Sequence, residues 1–394
     1  MTRMYYLDAL RSFAMLFGLL VHAGVINRGL NYEVVAFVSG SFRMATFFAI
    51  SGFFAAMMVE KRGAGPFVRW RLPVLITPLV VGLLLLNPVT HYAIHLYNGG
   101  AGGFLDLTLG RVESHVGPLQ NWHLHLWFLI TLSIYVICAP VFLRLASAPW
   151  IARVIGGLAA RPIAVVPVLA IAFTGFEIVA RALLSISLGA IDGMSEQLFL
   201  VRATLAYMPY FALGIAMFAV RPMFEAMHRY CWWALIAGFG LGALLAISPA
   251  AVPGAAGRIA EISLRALATV AAMAALLRLF RTLIGSRGQA AEILNRSVYT
   301  VYMVHYLIMY VLALTVFASV ANPILAHLGV AALAFVIGAL FHFGVVERAP
   351  VLEFLLNGRS RPRRAARVAL ACDILSAPDR RRSHGRRRGS AGRP

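Results

Sequence analysis

The chain has 394 residues, of which 61% are apolar and only 13% are charged, and its mean hydropathy is +0.81. A soluble domain carries about 25% charged residues, so this composition excludes a soluble globular protein. Only a lipid bilayer accepts so much apolar surface, and there the backbone must be helical or form a closed barrel. Because the apolar runs are long and continuous, we predict transmembrane helices rather than barrel strands.

The net charge of +20 would suit a nucleic-acid-binding protein, but the distribution of the basic residues excludes that function. If the N-terminus is cytoplasmic, 27 of the 35 Lys and Arg residues fall in segments on the inner side of the membrane. Four fall on the outer side: Arg28, Arg111, Arg202 and Arg258. The positive-inside rule therefore predicts that both termini are cytoplasmic. We expect a multi-pass protein of a bacterial inner (cytoplasmic) membrane.

The apolar runs predict an all-α fold, a polytopic transmembrane helical bundle with about ten spans. In chain order these spans are 8–26, 42–60, 73–97, 124–144, 163–184, 203–220, 231–249, 262–284, 298–320 and 328–346. Residues 1–358 form the predicted transmembrane domain. Residues 359–394 are rich in Arg, Ser, Gly and Pro, so we predict a disordered cytoplasmic tail held at anionic lipid headgroups.

Two absences in the sequence limit the classes of function. We find no internal repeat, which gives no support to the inverted-repeat architecture of many transporters. The three cysteines, Cys138, Cys231 and Cys372, are scattered and predict neither a disulfide framework nor a metal site.

The first span carries three polar residues on one face: Asp8, Arg11 and His22. Asp8 and Arg11 stand at i and i+3, where they can pair. His22 follows Arg11 by eleven residues, about 16 Å along the helix axis and in phase to about 20°. A titratable imidazole on this stripe suits proton transfer. The alternative is a structural ion pair at the interface and a histidine that only bonds a neighbouring helix.

The second span begins with Arg43 in the outer leaflet, where it either snorkels to the surface or binds an anion or a sugar hydroxyl. Ser51-Gly52 in the same span permits close helix packing. Lys61-Arg62 and Arg69-Trp70-Arg71 follow in a predicted inner loop. These basic residues satisfy the topology rule, and they equally suit an anionic ligand such as the phosphates of coenzyme A.

Later spans add further polar residues. His125 and Trp127 open the fourth span at the outer surface, where an interfacial belt is an alternative reading. Tyr302 and His305 share one face of the ninth span, and we expect His305 in its inner half. The resulting polar track, open at both ends, suits either transport or transfer of a group across the membrane.

Two intramembrane i,i+4 pairs, Glu177–Arg181 and Glu261–Arg265, are expected mainly to neutralise each other.

Four short segments resemble the acyltransferase-three superfamily of membrane acyltransferases. In chain order they are Tyr6-Leu7-Asp8-Ala9-Leu10-Arg11 with His22 after ten further residues, Phe47-Phe48-Ala49-Ile50-Ser51-Gly52-Phe53, His125-Leu126-Trp127-Phe128-Leu129, and Tyr302-Met303-Val304-His305. The likeness extends from residue 5 to about 358. The chain departs from the family pattern at Val74, where the inner loop commonly has a second arginine, and at Val298, where a small hydroxyl residue is expected.

The resemblance implies an O-acyltransferase that takes acyl-CoA from the cytoplasm and has no permanently bound cofactor. Matches over 207–214 and 348–358 resemble members that succinylate osmoregulated periplasmic glucans. These matches imply succinyl-CoA as the donor and a periplasmic glucan as the acceptor. Besides these substrates, membrane lipids are the expected partners, nucleic acid is not, and the oligomeric state, including a homo-oligomer, stays open.

Under this hypothesis the predicted site residues have distinct tasks. His22, with Arg11 and Asp8, is catalytic, and the imidazole acts as general base or carries the acyl group briefly. His305 and Tyr302 are expected to polarise the thioester carbonyl. The predicted substrate-binding residues are Arg43, His125, Trp127, Ser51, Tyr302 and His305, and those for acyl-CoA are Arg69 and Arg71.

Two alternatives remain from the sequence. One is an O-acetyltransferase acting on another surface polysaccharide or a lipid-linked sugar. The other is a transporter that moves a sugar or an acyl compound along the polar track.

Overall fold

The computed structural model describes residues 4–26, 30–116, 122–188, 195–229, 232–247, 254–285 and 288–359. The chain divides after Gly358 into a first unit, residues 1–358, and a second unit, residues 359–394. Beyond Arg359 the second unit lies outside the described residues, as do Arg28, Cys231 and Cys372. The domain division and the disordered tail therefore stay predictions.

All regular elements in the described part of the chain are helical, which confirms the predicted all-α fold. Fifteen α-helices follow one another: α1 Tyr5–Ile26, α2 Leu30–Arg62, α3 Ala64–Val81, α4 Asn87–Tyr97, α5 Phe104–Thr108, α6 Trp127–Ser147, α7 Pro149–Ala159, α8 Pro162–Leu188, α9 Ser195–Ala219, α10 Arg221–Met227, α11 Trp232–Ile247, α12 Gly254–Leu283, α13 Gln289–Leu314, α14 Pro323–Gly344 and α15 Pro350–Asn357. A π-helical segment, Gly82–Leu86, joins α3 to α4, and 3₁₀ turns lie at Leu124–Leu126 and Val346–Arg348.

Nine helical segments among the described residues are long and apolar enough to cross a bilayer. They correspond to nine of the ten predicted spans. The seventh predicted span is α11, whose apolar part is shorter, and which packs along α12. The protein is thus a polytopic, multi-pass membrane bundle.

Two helix boundaries differ from the prediction and change the setting of polar residues. Gly63, with φ +84°, separates α2 from α3 in a single residue, so the basic segment 60–72 is helical and not a loop. A positive φ costs glycine little, which allows this sharp change of direction. α13 begins at Gln289 instead of 298, so His305 lies well along the helix, towards its outer end and not in its inner half.

Close packing of α2 on α9 forms the centre of the bundle. A Cβ built on Gly52 would collide with the backbone carbonyl of Phe211, and one built on Gly214 would lie 2.9 Å from the backbone nitrogen of Phe53. Only glycine permits this approach, as the sequence predicted for Gly52. The tight contact fixes α2, and α1 packs beside it against α13.

Buried polar groups on the predicted inner side form closed networks. The Tyr6 hydroxyl bonds His228 Nε2 at 3.0 Å, and His228 Nδ1 bonds the Phe224 carbonyl at 2.7 Å. Thr300 Oγ1 lies 2.8 Å from His342 Nδ1 and donates to Asn357 Oδ1 at 3.0 Å. Such satisfied groups contribute to stability and leave few atoms for a substrate.

Ion pairs between charged side chains lie at both ends of the bundle. Glu225 pairs with Arg281 at 2.7 Å and with Arg221 at 2.8 Å, and the hydrogen bond from Arg281 lowers the pKa of the Glu225 carboxyl. The predicted pairs Glu177–Arg181 and Glu261–Arg265 are present at 2.5 Å and 2.6 Å.

Candidate active site

Four helices meet around a small cavity, here called the histidine pocket, with a volume of about 40 Å³. α1, α2, the start of α6 with the residues just before it, and α13 each contribute to its wall. The lining residues are Ala14, Met15, Gly18, His22, Arg43, Met44, Phe47, His125, Trp127, Phe128, Tyr302 and His305. Six of the predicted site residues are thus brought together: His22, Arg43, His125, Trp127, Tyr302 and His305.

Three imidazole rings lie within contact distance of one another in this pocket. The ring centroids of His22 and His305 are 5.2 Å apart, those of His125 and His305 are 4.7 Å apart, and those of His22 and His125 are 6.4 Å apart. Tyr306 touches the His22 ring edge-on at 4.8 Å and stacks on His125 at 5.0 Å. The cluster joins α1, α13 and the segment before α6 at one depth.

The hydrogen bond of His305 fixes which ring nitrogen is free. Its Nδ1 lies 2.7 Å from the Tyr302 carbonyl oxygen, which only accepts, so Nδ1 carries the proton. In the neutral ring Nε2 then presents a lone pair. This atom is buried and has no hydrogen-bond partner among the described residues. His305 therefore offers a proton acceptor inside the pocket.

Arg43 supplies the positive charge of the pocket. It makes no ion pair with any described residue, and its buried Nε has no hydrogen-bond partner among them. The guanidinium lies against Gly18 of α1, where an added Cβ would overlap Nη1. The arginine therefore faces the pocket instead of snorkelling to the surface, and its charge suits an anion or a developing oxyanion.

The backbone before α6 holds His125 in place by an unusual conformation. Leu124 has φ +46°, which is rare for a bulky residue and is often found at functional sites. The Tyr302 hydroxyl donates to the His125 carbonyl at 2.8 Å. From the other side, Gly82 of the π-helical segment packs against Leu126. Several elements thus fix the position of one imidazole.

The remaining predicted site residues lie elsewhere. Arg11 and Asp8 share the face of α1 that carries His22, with Arg11 Nη2 and Asp8 Oδ1 3.9 Å apart, but neither lines the pocket. Ser51 is also outside the lining, and it neighbours Gly52 in the packing of α2 on α9.

Arg69 and Arg71 lie near the start of α3, at the predicted inner face. Arg69 is exposed, and the Arg71 guanidinium lies 6.0 Å from the Trp70 ring centroid. The neighbouring Arg62 at the end of α2 lies over the same ring at 4.4 Å. Both arginines thus lie at the predicted inner face, and their binding of acyl-CoA stays a prediction.

Sequence reasoning missed three contributors: Tyr306, Leu124 and Gly82. Tyr306 follows a predicted site residue directly, so a scan of both neighbours would have found it. Leu124 and Gly82 act through backbone geometry, and neither residue type signals this in an apolar run.

The pocket contains groups that can transfer a proton and groups that can stabilise an anion. It contains imidazoles, one with a defined free lone pair, and a guanidinium without an ion pair among the described residues. None of the lining residues named above is acidic. Its volume of about 40 Å³ admits reacting groups rather than whole substrates.

Comparison with known proteins agrees with this chemistry. A family model described as an acyltransferase domain matches residues 4–343. Among curated proteins, glucans biosynthesis protein C of Escherichia coli strain K12 is 25% identical over 255 residues, which cover 60% of this chain and 64% of the relative. The protein of the same name from Escherichia coli O1:K1 / APEC is 25% identical over 256 residues with the same coverage.

The match covers less than two thirds of the length of these curated relatives. No solved structure matches the chain.

Proposed function

The chain belongs to the acyltransferase family that matches residues 4–343, and from this premise we propose that it carries a succinyl group from succinyl-CoA to a periplasmic glucan. The donor arrives from the cytoplasm, the acceptor is a sugar hydroxyl on the outer side, and the protein resides in a bacterial inner membrane. The likeness to glucans biosynthesis protein C at 25% identity supports this choice of acceptor.

The observation that carries the proposal is the histidine pocket, where α1, α2 and α13 place His22, Arg43 and His305 around one small space. The proposed step begins when His22 removes the proton of the acceptor hydroxyl. The oxygen bonds to the thioester carbonyl carbon, and the carbonyl oxygen becomes an oxyanion. When the carbon–sulfur bond breaks, the departing thiolate takes the proton from His22, which leaves the acyl ester and free coenzyme A.

The hydrogen bonds in the pocket favour a different group from the predicted ones for stabilising the oxyanion. His305 Nδ1 and the Tyr302 hydroxyl both donate to backbone carbonyls. Neither group is therefore available to polarise the thioester carbonyl. This is the role that we predicted for both residues from the sequence. Arg43 is the remaining cation of the lining, and we assign this task to it. The lone pair of His305 Nε2 faces the same cluster and suits the orientation of the His22 ring.

Thiol release from purified protein tests the proposal. Succinyl-CoA is supplied with and without periplasmic glucan, beside acetyl-CoA as the competing donor. The proposal expects glucan-dependent release that falls by about 10²- to 10⁴-fold in His22→Ala, because a general base contributes that much. His115→Ala, an exposed histidine of the outer loop, is the matched control and keeps the wild-type rate.

Three results would redirect the assignment. Release only from acetyl-CoA, with an acetate ester found on a different glycan, would favour an O-acetyltransferase. Full activity in a folded His22→Ala protein would remove the proposed base. Movement of a sugar through liposomes without consumption of coenzyme A would favour a transporter.

A further inference from the structure

A second cavity lies beside the histidine pocket and is far larger, with a volume of about 1700 Å³. Its walls are the predicted outer halves of α2, α8, α9 and α12. Four of its lining residues are arginines, so we call it the arginine cavity: Arg181, Arg202, Arg258 and Arg265. Ligand pockets for small molecules typically measure about 300–1,000 Å³, so this space admits an oligomeric ligand.

The charge of the arginine cavity is positive after internal pairing. Arg181 and Arg265 are each matched by a glutamate, at 2.5 Å and 2.6 Å respectively. Arg202 and Arg258 are exposed and make no ion pair with the described residues. Among the described residues, four arginines against two glutamates leave a net charge of +2. Arg181 and Arg265 lie within predicted spans, where ionisable residues are costly and mark a ligand path by default.

Aromatic side chains separate this cavity from the histidine pocket. Trp127 lines both spaces. Its ring stacks on Tyr207 with centroids 5.9 Å apart and meets Phe199 edge-on at 5.9 Å. Both partners also line the arginine cavity, so flat apolar faces stand next to the cationic groups. Trp127 thus lies between a ligand in the arginine cavity and the three histidines.

We propose that the arginine cavity binds an anionic saccharide, the acceptor, through carboxylate or phosphate groups on the sugar chain. This inference rests on the proposed function, and it adds that the acceptor is negatively charged before the transfer. The guanidinium groups of Arg202 and Arg258 match carboxylate and phosphate geometry. The aromatic wall offers the apolar faces of the sugar rings a stacking surface. That combination, with room for several sugar residues, favours a saccharide over a single lipid headgroup.

Binding in the absence of any acyl donor tests the inference separately from catalysis. The protein is placed in phosphatidylcholine nanodiscs and titrated with two fluorescent β-glucan oligosaccharides of equal length, one carboxymethylated and one neutral. Wild type is expected to bind the carboxymethylated chain more tightly. Arg202→Gln with Arg258→Gln is expected to lose that preference, by roughly tenfold for each charged contact removed.

Two further variants secure the interpretation. Arg153→Gln with Arg161→Gln removes the same charge from exposed positions at the predicted inner face, and it is expected to bind like wild type. Arg202→Glu with Arg258→Glu should bind a cationic chitosan oligomer and reject the carboxymethylated chain. This reversal shows that the altered cavity is folded, which a simple loss of binding does not.

The outcomes separate cleanly. Equal affinity of wild type for both glucans, or an unchanged preference in the glutamine variant, overturns the inference. Displacement of the carboxymethylated chain by phosphatidylglycerol in the nanodisc assigns the cavity to a lipid headgroup and also overturns it. Absence of thiol release with every acyl-CoA contradicts the proposed function and leaves the binding result standing.

Discussion

Two buried histidines, one on the predicted inner side and one in the histidine pocket, show how differently the bundle uses the same side chain. His228, on the predicted inner side, bonds the Phe224 carbonyl through Nδ1 and the Tyr6 hydroxyl through Nε2. His305 bonds the Tyr302 carbonyl through Nδ1 in the same way, but its Nε2 has no partner among the described residues. Both ring nitrogens of His228 are thus hydrogen-bonded, whereas Nε2 of His305 is not bonded to any described residue.

The difference separates stability from chemistry. A buried polar atom without a partner costs about 1–3 kcal/mol, and the fold tolerates this cost where a substrate supplies the partner. A closed network such as Thr300 with His342 and Asn357 avoids this cost. We therefore expect substitutions in the outer cluster to reduce turnover and those in the inner networks to reduce stability.

Of the three substitutions that test this comparison, Gly18→Ala in the histidine pocket is expected to have the largest effect. The new Cβ would overlap Arg43 Nη1, at the flexible end of a side chain that can move away. The fold should persist while the guanidinium leaves its position. A misplacement of about 1 Å at a catalytic group costs about 100-fold in rate, so we expect a loss of that order in acyl transfer.

The measurement is kcat for thiol release beside the thermal midpoint of the detergent-solubilised protein. Gly175→Ala is the control, because a Cβ there meets no atom within 4 Å. An unchanged kcat in Gly18→Ala would show that the position of Arg43 does not matter for the reaction.

Thr300→Val disrupts one of the fully hydrogen-bonded networks on the predicted inner side, and we expect an effect of intermediate size. It removes the hydroxyl that bonds both His342 and Asn357, so we expect the free energy of unfolding to fall by about 2 kcal/mol. The rate per folded molecule should stay the same. Denaturant titration followed by an activity assay on the folded fraction measures both. Thr282→Val, exposed on α12, is the control, and an equal loss there would contradict the argument.

The smallest effect is a pH dependence of stability at His228, which lies outside the membrane-spanning segments. Burial lowers the pKa of His228 below its usual value of 6.5. As pH falls through 6.5 the unfolded chain binds this proton first, so stability decreases from there down to the folded pKa. His228→Asn should flatten the stability curve between neutral pH and the acid side. A curve of unchanged slope, with His115→Asn as the exposed control, would contradict this explanation.

The fold was largely predictable, because apolar runs of about 20 residues permit little besides transmembrane helices. Polar residues inside those runs also identified His22, Arg43, His125 and His305 as site candidates. The predicted position of His305 along its helix was wrong. The polar residues Asn295 and Arg296 precede the apolar run, so the sequence did not indicate that they belong to α13.

Other features depend on the spacing between helices, which no local pattern records. The approach of Arg43 to Gly18 is one example, and the arginine cavity between α2, α8, α9 and α12 is another. The acyl group, the acceptor and the tasks of Arg11, Asp8, Ser51, Arg69 and Arg71 stay predictions.

The small size of the histidine pocket also bears on the energy supply of the cell. Under the proposed function, the protein brings a cytoplasmic donor and a periplasmic acceptor together, and it must do so without letting protons leak between the two compartments. A space of about 40 Å³ holds only about three water molecules, since each needs roughly 10–15 Å³. Three waters between packed helices do not form a continuous hydrogen-bonded chain along which protons could cross the membrane. Under the proposed function, a pocket this narrow admits the reacting groups and restricts the movement of protons across the membrane.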